Sequence, residues 1–195
     1  MKEDTRTKIM DQAIKLFGEK GFSETSISKI AKSAKVGKGT IYWHFDSKED
    51  LFLSIIKEKG KVYFEKVKSL EESKDKPSEI IYKYIKDRIK FVEDNNDLAM
   101  MIVNNSDVII NKEFRHYMEK WHAQIMEVLE KAIDKGIKNG AFVNANSEEL
   151  ALMIINTANS AHHNFVCTLS GDADIKAEKI YNFIMHGLSG GKEDV

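Results

Sequence analysis

Apolar residues recur along most of this chain at helical spacing, and few stretches alternate as a half-buried strand would. Near the N-terminus, Ile9, Ala13, Leu16 and Phe17 predict one core-facing helix stripe, with Gly18 and Gly21 near its end and Phe22 packing the connection. Ile27, Ile30, Ala31 and Ala34 form a second stripe. Ser26 precedes it, and its hydroxyl can accept a free backbone N–H at the helix start. Lys29, Lys32 and Lys35 lie off the stripe. Gly37 is read as the turn residue, because glycine reaches positive φ without a steric penalty. Val36 and Ile41 plug the junction. A short third helix then carries Lys38, Thr40, Tyr42, Trp43 and His44 on its outer side, and Phe45 returns to the core. Ser47 and Asp50 read as a capping box opening a fourth helix from about Lys48 to Leu70, which buttresses the first three through Leu51, Phe52 and Ile55.

The pattern continues to the C-terminus. Pro77 opens a helix marked by Ile81, Ile85, Ile89 and Val92 and ended by Asn95 and Asn96. A short element spans about Leu98–Ile109. Phe114, Tyr117, Trp121, Ile125, Val128, Ala132 and Ile133 mark a long helix to about Lys138, broken by Asn139 and Gly140. Two more helices come next, Ser147 to about Leu169 and about Ala173–Leu188, joined at Ser170, Gly171 and Asp172. The expected fold is all-α, with about nine helices. Residues 1–47 form a three-helix unit, and residues 48–195 form a helical body.

Two short helices joined by a tight turn, the second polar and aromatic outside, are the layout of a helix-turn-helix made for the DNA major groove. Charge points the same way. Residues 5–48 hold nine Lys/Arg against four Asp/Glu, a net of +5, while the rest holds 21 against 27, a net of −6. The overall −1 conceals a basic head on an acidic body, suited to duplex DNA and to salt-dependent binding.

The sequence holds no phosphate-binding loop, dinucleotide turn or nucleophile elbow, so no enzymatic activity and no cofactor are expected. A single Cys allows no internal disulfide, and no signal region or membrane-length apolar run is present; a cytoplasmic protein is expected. His162 and His163 point about 100° apart on a helix and could share a metal only with help from another residue such as His122 or Cys167; no metal is expected.

The last two helices are apolar on more than one face. Leu150, Met153, Ile154, Ala158, Ala161, Phe165, Val166 and Leu169 mark one, and Ile175, Ile180, Tyr181, Phe183, Ile184 and Leu188 the other. One face packs on the protomer, and the second asks for a partner, giving a homodimer through a four-helix bundle.

The N-terminal block resembles the tetracycline-repressor (TetR) family of bacterial transcription regulators. The resemblance lies in Ala13-x-x-Leu16-Phe17-x-x-x-Gly21-Phe22, Thr25-Ser26-Ile27-x-x-Ile30-Ala31, Ala34-x-Val36-Gly37-x-Gly39-Thr40-Ile41-Tyr42-x-x-Phe45 and Lys48-Glu49-x-Leu51. It implies a dimer that binds a palindromic operator, usually represses, and lets go when a small ligand fills the C-terminal domain. By this resemblance Lys38, Thr40, Tyr42 and His44 contact bases or phosphates, and Thr25, Ser26, Trp43 and Lys48 touch the DNA backbone. It also implies an effector pocket. Phe91, Met100, Met101, Trp121, Met126 and Phe165 suit an apolar or aromatic effector, and Asn156, Asn159 and His162 are its polar candidates. The competing reading is a constitutive DNA-binding adaptor whose body docks a protein.

Overall fold

A computed structural model of the chain describes residues 4–105, 112–160 and 169–188, without the side chain of residue 103. The elements are α1 (Thr5–Glu24), α2 (Ile27–Ala34), α3 (Lys38–His44), α4 (Lys48–Ser69), α5 (Pro77–Asp94), α6 (Asn96–Val103), α7 (Lys112–Lys138), α8 (Ser147–Ser160) and α9 (Ala173–Leu188). No strand occurs among the described residues, and the chain is all-α as its periodicity predicts. Residues 161–168 of the expected continuation of α8, with Ala161, Val166 and Cys167, and the expected end of α6 at Ile109 lie outside the described residues, and Leu169, the expected end of α8, is not helical. No helix among the described residues is long and apolar enough to cross a membrane.

The fold divides into two compact units, Met1–Val62 with Asn95–Met118, and Tyr63–Asp94 with Glu119–Val195. In the first, α1 buries Ile9, Met10, Ala13, Ile14 and Phe17. Leu16, expected on that stripe, is only half-buried, because Met10 and Ile14 share the core face. The rings of Phe17, Phe22 and Phe52 meet at 5.3–5.6 Å, and Phe114 joins them through Phe52 at 6.2 Å. Each such pair is worth about 0.5–1.5 kcal/mol beyond burial. The helix of α1 breaks at Gly21, whose φ of 79° and ψ of 163° fall where side chains are rarely tolerated.

The helix ends show where local chemistry acts. Ser26 caps α2 by accepting from Lys29 N at 3.3 Å. The turn after α2 differs from the expectation. Its left-handed residue is Lys35, at φ 57° and ψ 42°, whereas Gly37 has an ordinary φ of −72°. Val36 N donates to the Ala31 carbonyl at 3.0 Å and Lys35 N to that of Lys32 at 3.3 Å. These bonds make a Schellman end, which puts the left-handed position directly after the last helical residue. Gly37 instead starts α3, its carbonyl accepting from Thr40 N at 3.0 Å. At α4, Asp50 N donates to Ser47 Oγ at 3.0 Å, but the Asp50 carboxylate accepts from Asp46 N at 3.0 Å, one residue before the reciprocal partner of a capping box. α4 passes Gly60 without a break.

In the second unit α5 lies against α8 and α9. Ile81, Tyr84, Ile85 and Ile89 of α5, Leu129 and Ile133 of α7, Ala151, Ile154 and Ala158 of α8, and Ala177 and Ile180 of α9 form its core. Tyr63 stacks on Phe91 at 4.7 Å and Phe64 on Trp121 at 3.8 Å.

Two substitutions check these backbone assignments by chemical denaturation. Gly21→Ala is expected to lower stability by about 1–3 kcal/mol, since alanine is strained there. Lys35→Gly is expected to raise it by up to about 1 kcal/mol, since glycine enters the left-handed region freely. A neutral Gly21→Ala would contradict the break in α1.

Candidate nucleic-acid interface

A seven-residue helix is too short to persist in water, so α3 exists only through what its inner face buries. That face holds Ile41, fully buried, with Phe45 directly after the helix at 2% exposure. They pack in the same core as Ile27, Ile30, Ala31 and Ala34 of α2. The Arg6 guanidinium stands 4.8 Å from the centre of the Phe45 ring and pairs with Glu58, tying the end of α3 to α1 and α4.

With the inner face committed, the outer face is free. Lys38 is exposed, Tyr42 is 53% exposed and Trp43 is 80% exposed. Thr40 and His44 are half-buried beside them, and the His44 and Trp43 rings meet edge to face at 4.5 Å. A tryptophan and a tyrosine held in water next to a lysine have no packing role within the unit, and their rings and polar tips suit base edges and phosphates.

The residues expected at the DNA backbone divide. Ser26 is exposed, although its oxygen is engaged in capping. Thr25 is fully buried and its hydroxyl donates to the Leu16 carbonyl at 3.1 Å, so its side chain joins α1 to the start of α2 and does not face DNA. The Lys48 ammonium is also held internally. It donates to the carbonyls of Phe22 at 2.7 Å and Thr25 at 3.0 Å and lies 4.1 Å above the Phe22 ring.

Charge separates the head from the body more sharply than counting does. Lys32, Lys35 and Lys38 are exposed and make no ion pair among the described residues. Several lysines elsewhere stand against carboxylates, as in Lys57–Glu113 at 3.1 Å, Lys66–Asp87 at 2.5 Å, Lys86–Asp174 at 2.7 Å and Lys176–Glu93 at 2.6 Å. Exposed pairs add little stability but cancel one another's field, so the positive potential of the head is left to act outward. Lys35 belongs with the outward set. Its place off the α2 stripe was its only signal in the sequence.

The expected effector residues are divided between the two units. Met100 and Met101 fall in the first unit, where Met101 is fully buried. Phe91, Trp121, Met126, Asn156 and Asn159 fall in the second, and His162 and Phe165 lie outside the described residues. Asn156 is exposed; Met126 lines an open groove of about 430 Å³ with His122, Glu130 and Leu152. Phe91 and Asn159 have a more telling setting. Asn159 accepts from Arg88 Nε at 2.8 Å. Near Arg88 are two buried phenols, Tyr63 and Tyr84, whose hydroxyls interact with one another. Burial pushes the Tyr84 phenol up to about 12, partly offset by the Arg88 charge, and burial and the neighbouring Tyr84 push Tyr63 well up too. Both are therefore neutral donors at any physiological pH. Tyr63, Tyr84 and Arg88 were absent from the expected set, because an isolated Tyr or Arg in a helical stripe carries no sign of such a cluster. No three His, Cys, Asp or Glu side chains converge among the described residues; His162, His163 and Cys167 lie outside them.

Comparison with known proteins agrees with this geometry. Residues 9–55 match the family described as bacterial regulatory proteins, tetR family. An uncharacterized HTH-type transcriptional regulator, YerO of Bacillus subtilis, is 27% identical over 187 residues, covering 95% of this chain and 63% of its own length. The chain thus spans less than two thirds of that relative. The negative transcriptional regulator IcaR of Staphylococcus epidermidis is 27% identical over 134 residues, 66% of this chain and 69% of its own. The crystal structure of the transcriptional regulator FadR from Bacillus subtilis, in complex with stearoyl-CoA, superposes with a TM-score of 0.75 at 23% identity, covering 93% of this chain and 98% of that one. All three are named as transcriptional regulators.

Two substitutions test the outer face. Tyr42→Ala is expected to weaken binding to a selected operator duplex by about 1–3 kcal/mol while leaving the fold intact. Lys38→Ala is expected to lower affinity for all duplexes and to reduce the slope of log K against log salt by about one. Normal operator affinity in folded Tyr42→Ala protein would contradict the assignment.

Proposed function

We propose that this chain, whose residues 9–55 match the tetR family of bacterial regulatory proteins, is a transcriptional repressor that binds a palindromic operator as a homodimer and is released by a small molecule. The observation that carries the DNA reading is the outer face of α3. Lys38, Tyr42 and Trp43 stand in water, with Lys32 and Lys35 unpaired nearby in the chain. Repression is the direction named for IcaR.

A symmetric dimer is supported by apolar residues on α8 and α9. Met153 is 62% and Phe183 75% exposed, with Leu152 and Ile175 also open to water. Ala151, Ile154, Ala177 and Ile180 meanwhile commit the opposite faces to the core. Pairing these helices buries the exposed set, and a two-fold axis lets two copies of α3 meet successive major grooves about 34–36 Å apart. The same residues are what an adaptor would offer a protein partner, and oligomeric state separates the two readings.

Release by a ligand is supported by the cluster of Tyr63, Tyr84, Arg88 and Asn159 beside Phe91. Aromatic walls with a guanidinium suit an apolar molecule carrying an anionic or carbonyl head. FadR, with stearoyl-CoA bound, has the same fold and makes acyl thioesters the first compounds to try.

Phe183→Glu is expected to shift the protein from dimer to monomer in analytical ultracentrifugation and to weaken operator binding at least tenfold. A monomeric wild type that still binds a palindrome would favour the adaptor. In operator titrations, a bound effector is expected to raise the dissociation constant at least tenfold. Arg88→Ala should remove that response without changing affinity in its absence. An operator affinity unmoved by every ligand that binds would exclude release.

A further inference from the structure

The break in α1 at Gly21 disconnects two backbone groups that an unbroken helix would pair with one another, the Phe22 N–H and the Gly18 carbonyl. Each is met by a side chain from the end of α6. Phe22 N donates to Asn105 Oδ1, and Asn104 Nδ2 donates to the Gly18 carbonyl at 2.8 Å. Asn105 Nδ2 donates in addition to the Phe17 carbonyl at 3.1 Å and to the Met101 carbonyl of its own helix. Asn105 is one of two buried polar residues among the described ones, at 3% exposure, and both ends of its amide are used.

The requirement is specific to asparagine. The site presents an N–H on one side and carbonyls on the other, so it needs an acceptor and a donor about two ångströms apart on one short side chain. Aspartate lacks the donors, and leucine lacks both. The approach of α6 is close for the same purpose. A Cβ at Gly18 would lie 3.3 Å from the Asp97 carbonyl oxygen and 3.5 Å from Met101 N.

The corner so held orients the helices that leave it. Phe22 packs on Phe17 and Phe52, Lys48 binds the Phe22 and Thr25 carbonyls, and Thr25 binds the Leu16 carbonyl. Ser26 starts α2 immediately after, and α2 carries α3. We propose that Asn105, with Asn104 beside it, is a positioning residue. By satisfying the broken end of α1 it fixes the angle at which α2 and α3 leave the corner, and so the presentation of Lys38 to His44. The proposal rests on the DNA-binding reading for its functional consequence and on the corner alone for its structural one. It also places part of the head's support well beyond the matched segment 9–55.

The test uses the full chain as wild type, Asn105→Asp, Asn105→Leu and Asn104→Ala, the last being an exposed position where folding is secure. Amide exchange and chemical shifts are read by NMR, and affinities are measured for an operator selected from random duplexes and for an unrelated duplex. In Asn105→Leu the Phe22 amide should exchange about tenfold faster or more, whereas Asn105→Asp keeps the acceptor and should leave that amide protected while losing the donors to the Phe17 and Met101 carbonyls; in both variants amide shifts should move from Ser26 to Phe45, and the amide of Tyr84 should keep its protection. The ratio of operator to unrelated affinity should fall about tenfold, while the salt slope on the unrelated duplex stays unchanged. Asn104→Ala should give a smaller change of the same kind. Uniform loss of protection, Tyr84 included, would reduce Asn105 to a stability role, and unaltered Phe22 exchange in folded Asn105→Leu, with unaltered specificity in both variants, would overturn the proposal. Should wild type ignore every duplex, the DNA reading fails, and the exchange and shift data alone decide whether Asn105 sets the corner.

Discussion

A helix of seven residues cannot stand alone, and the surface we propose to face DNA is such a helix. Burial of Ile41 and Phe45 holds α3 in place, and everything its outer face does depends on that seam. Because the inner side chains are committed, Tyr42 and Trp43 can stay in water without collapsing onto the head. Because α2 ends in a hydrogen-bonded Schellman turn, the angle between α2 and α3 is set by backbone bonds. The basic residues then act on a rigid frame, which is what recognition of base edges requires.

Around this seam the structure separates charges by use. Several lysines of the body are matched with carboxylates, while Lys32, Lys35 and Lys38 are exposed to the solvent. The excess of basic residues in the head is thereby exposed in part to the solvent, as long-range attraction to phosphates would require.

Much of this was legible in the sequence. Stripe spacing located the helices, Ser26 announced its cap, and the alternation of Ile41 and Phe45 with Lys38, Tyr42 and Trp43 separated inner from outer face. What escaped was set by contacts distant in sequence or by competing local choices. Lys35 takes the left-handed turn because the Schellman bonds require it at that position, although glycine stands two residues on. Thr25 looked like a polar surface residue, but the Leu16 carbonyl claims it. Lys48 looked like a free cation at a helix start, but two carbonyls of the corner hold it. Asn105 answers the freed Phe22 N–H from 83 residues away, and no local pattern marks it. The effector residues were least legible, since composition shows that aromatics exist but not which unit they enter.

The central claim is that α3 presents Lys38 to His44 to the groove of duplex DNA. The most direct measurement is the backbone amide spectrum of the isotope-labelled full chain as a short duplex is added at low ionic strength. The account predicts shifts concentrated between Ser26 and Phe45, reversed by salt. Shifts confined to the second unit, or none at all, would contradict it.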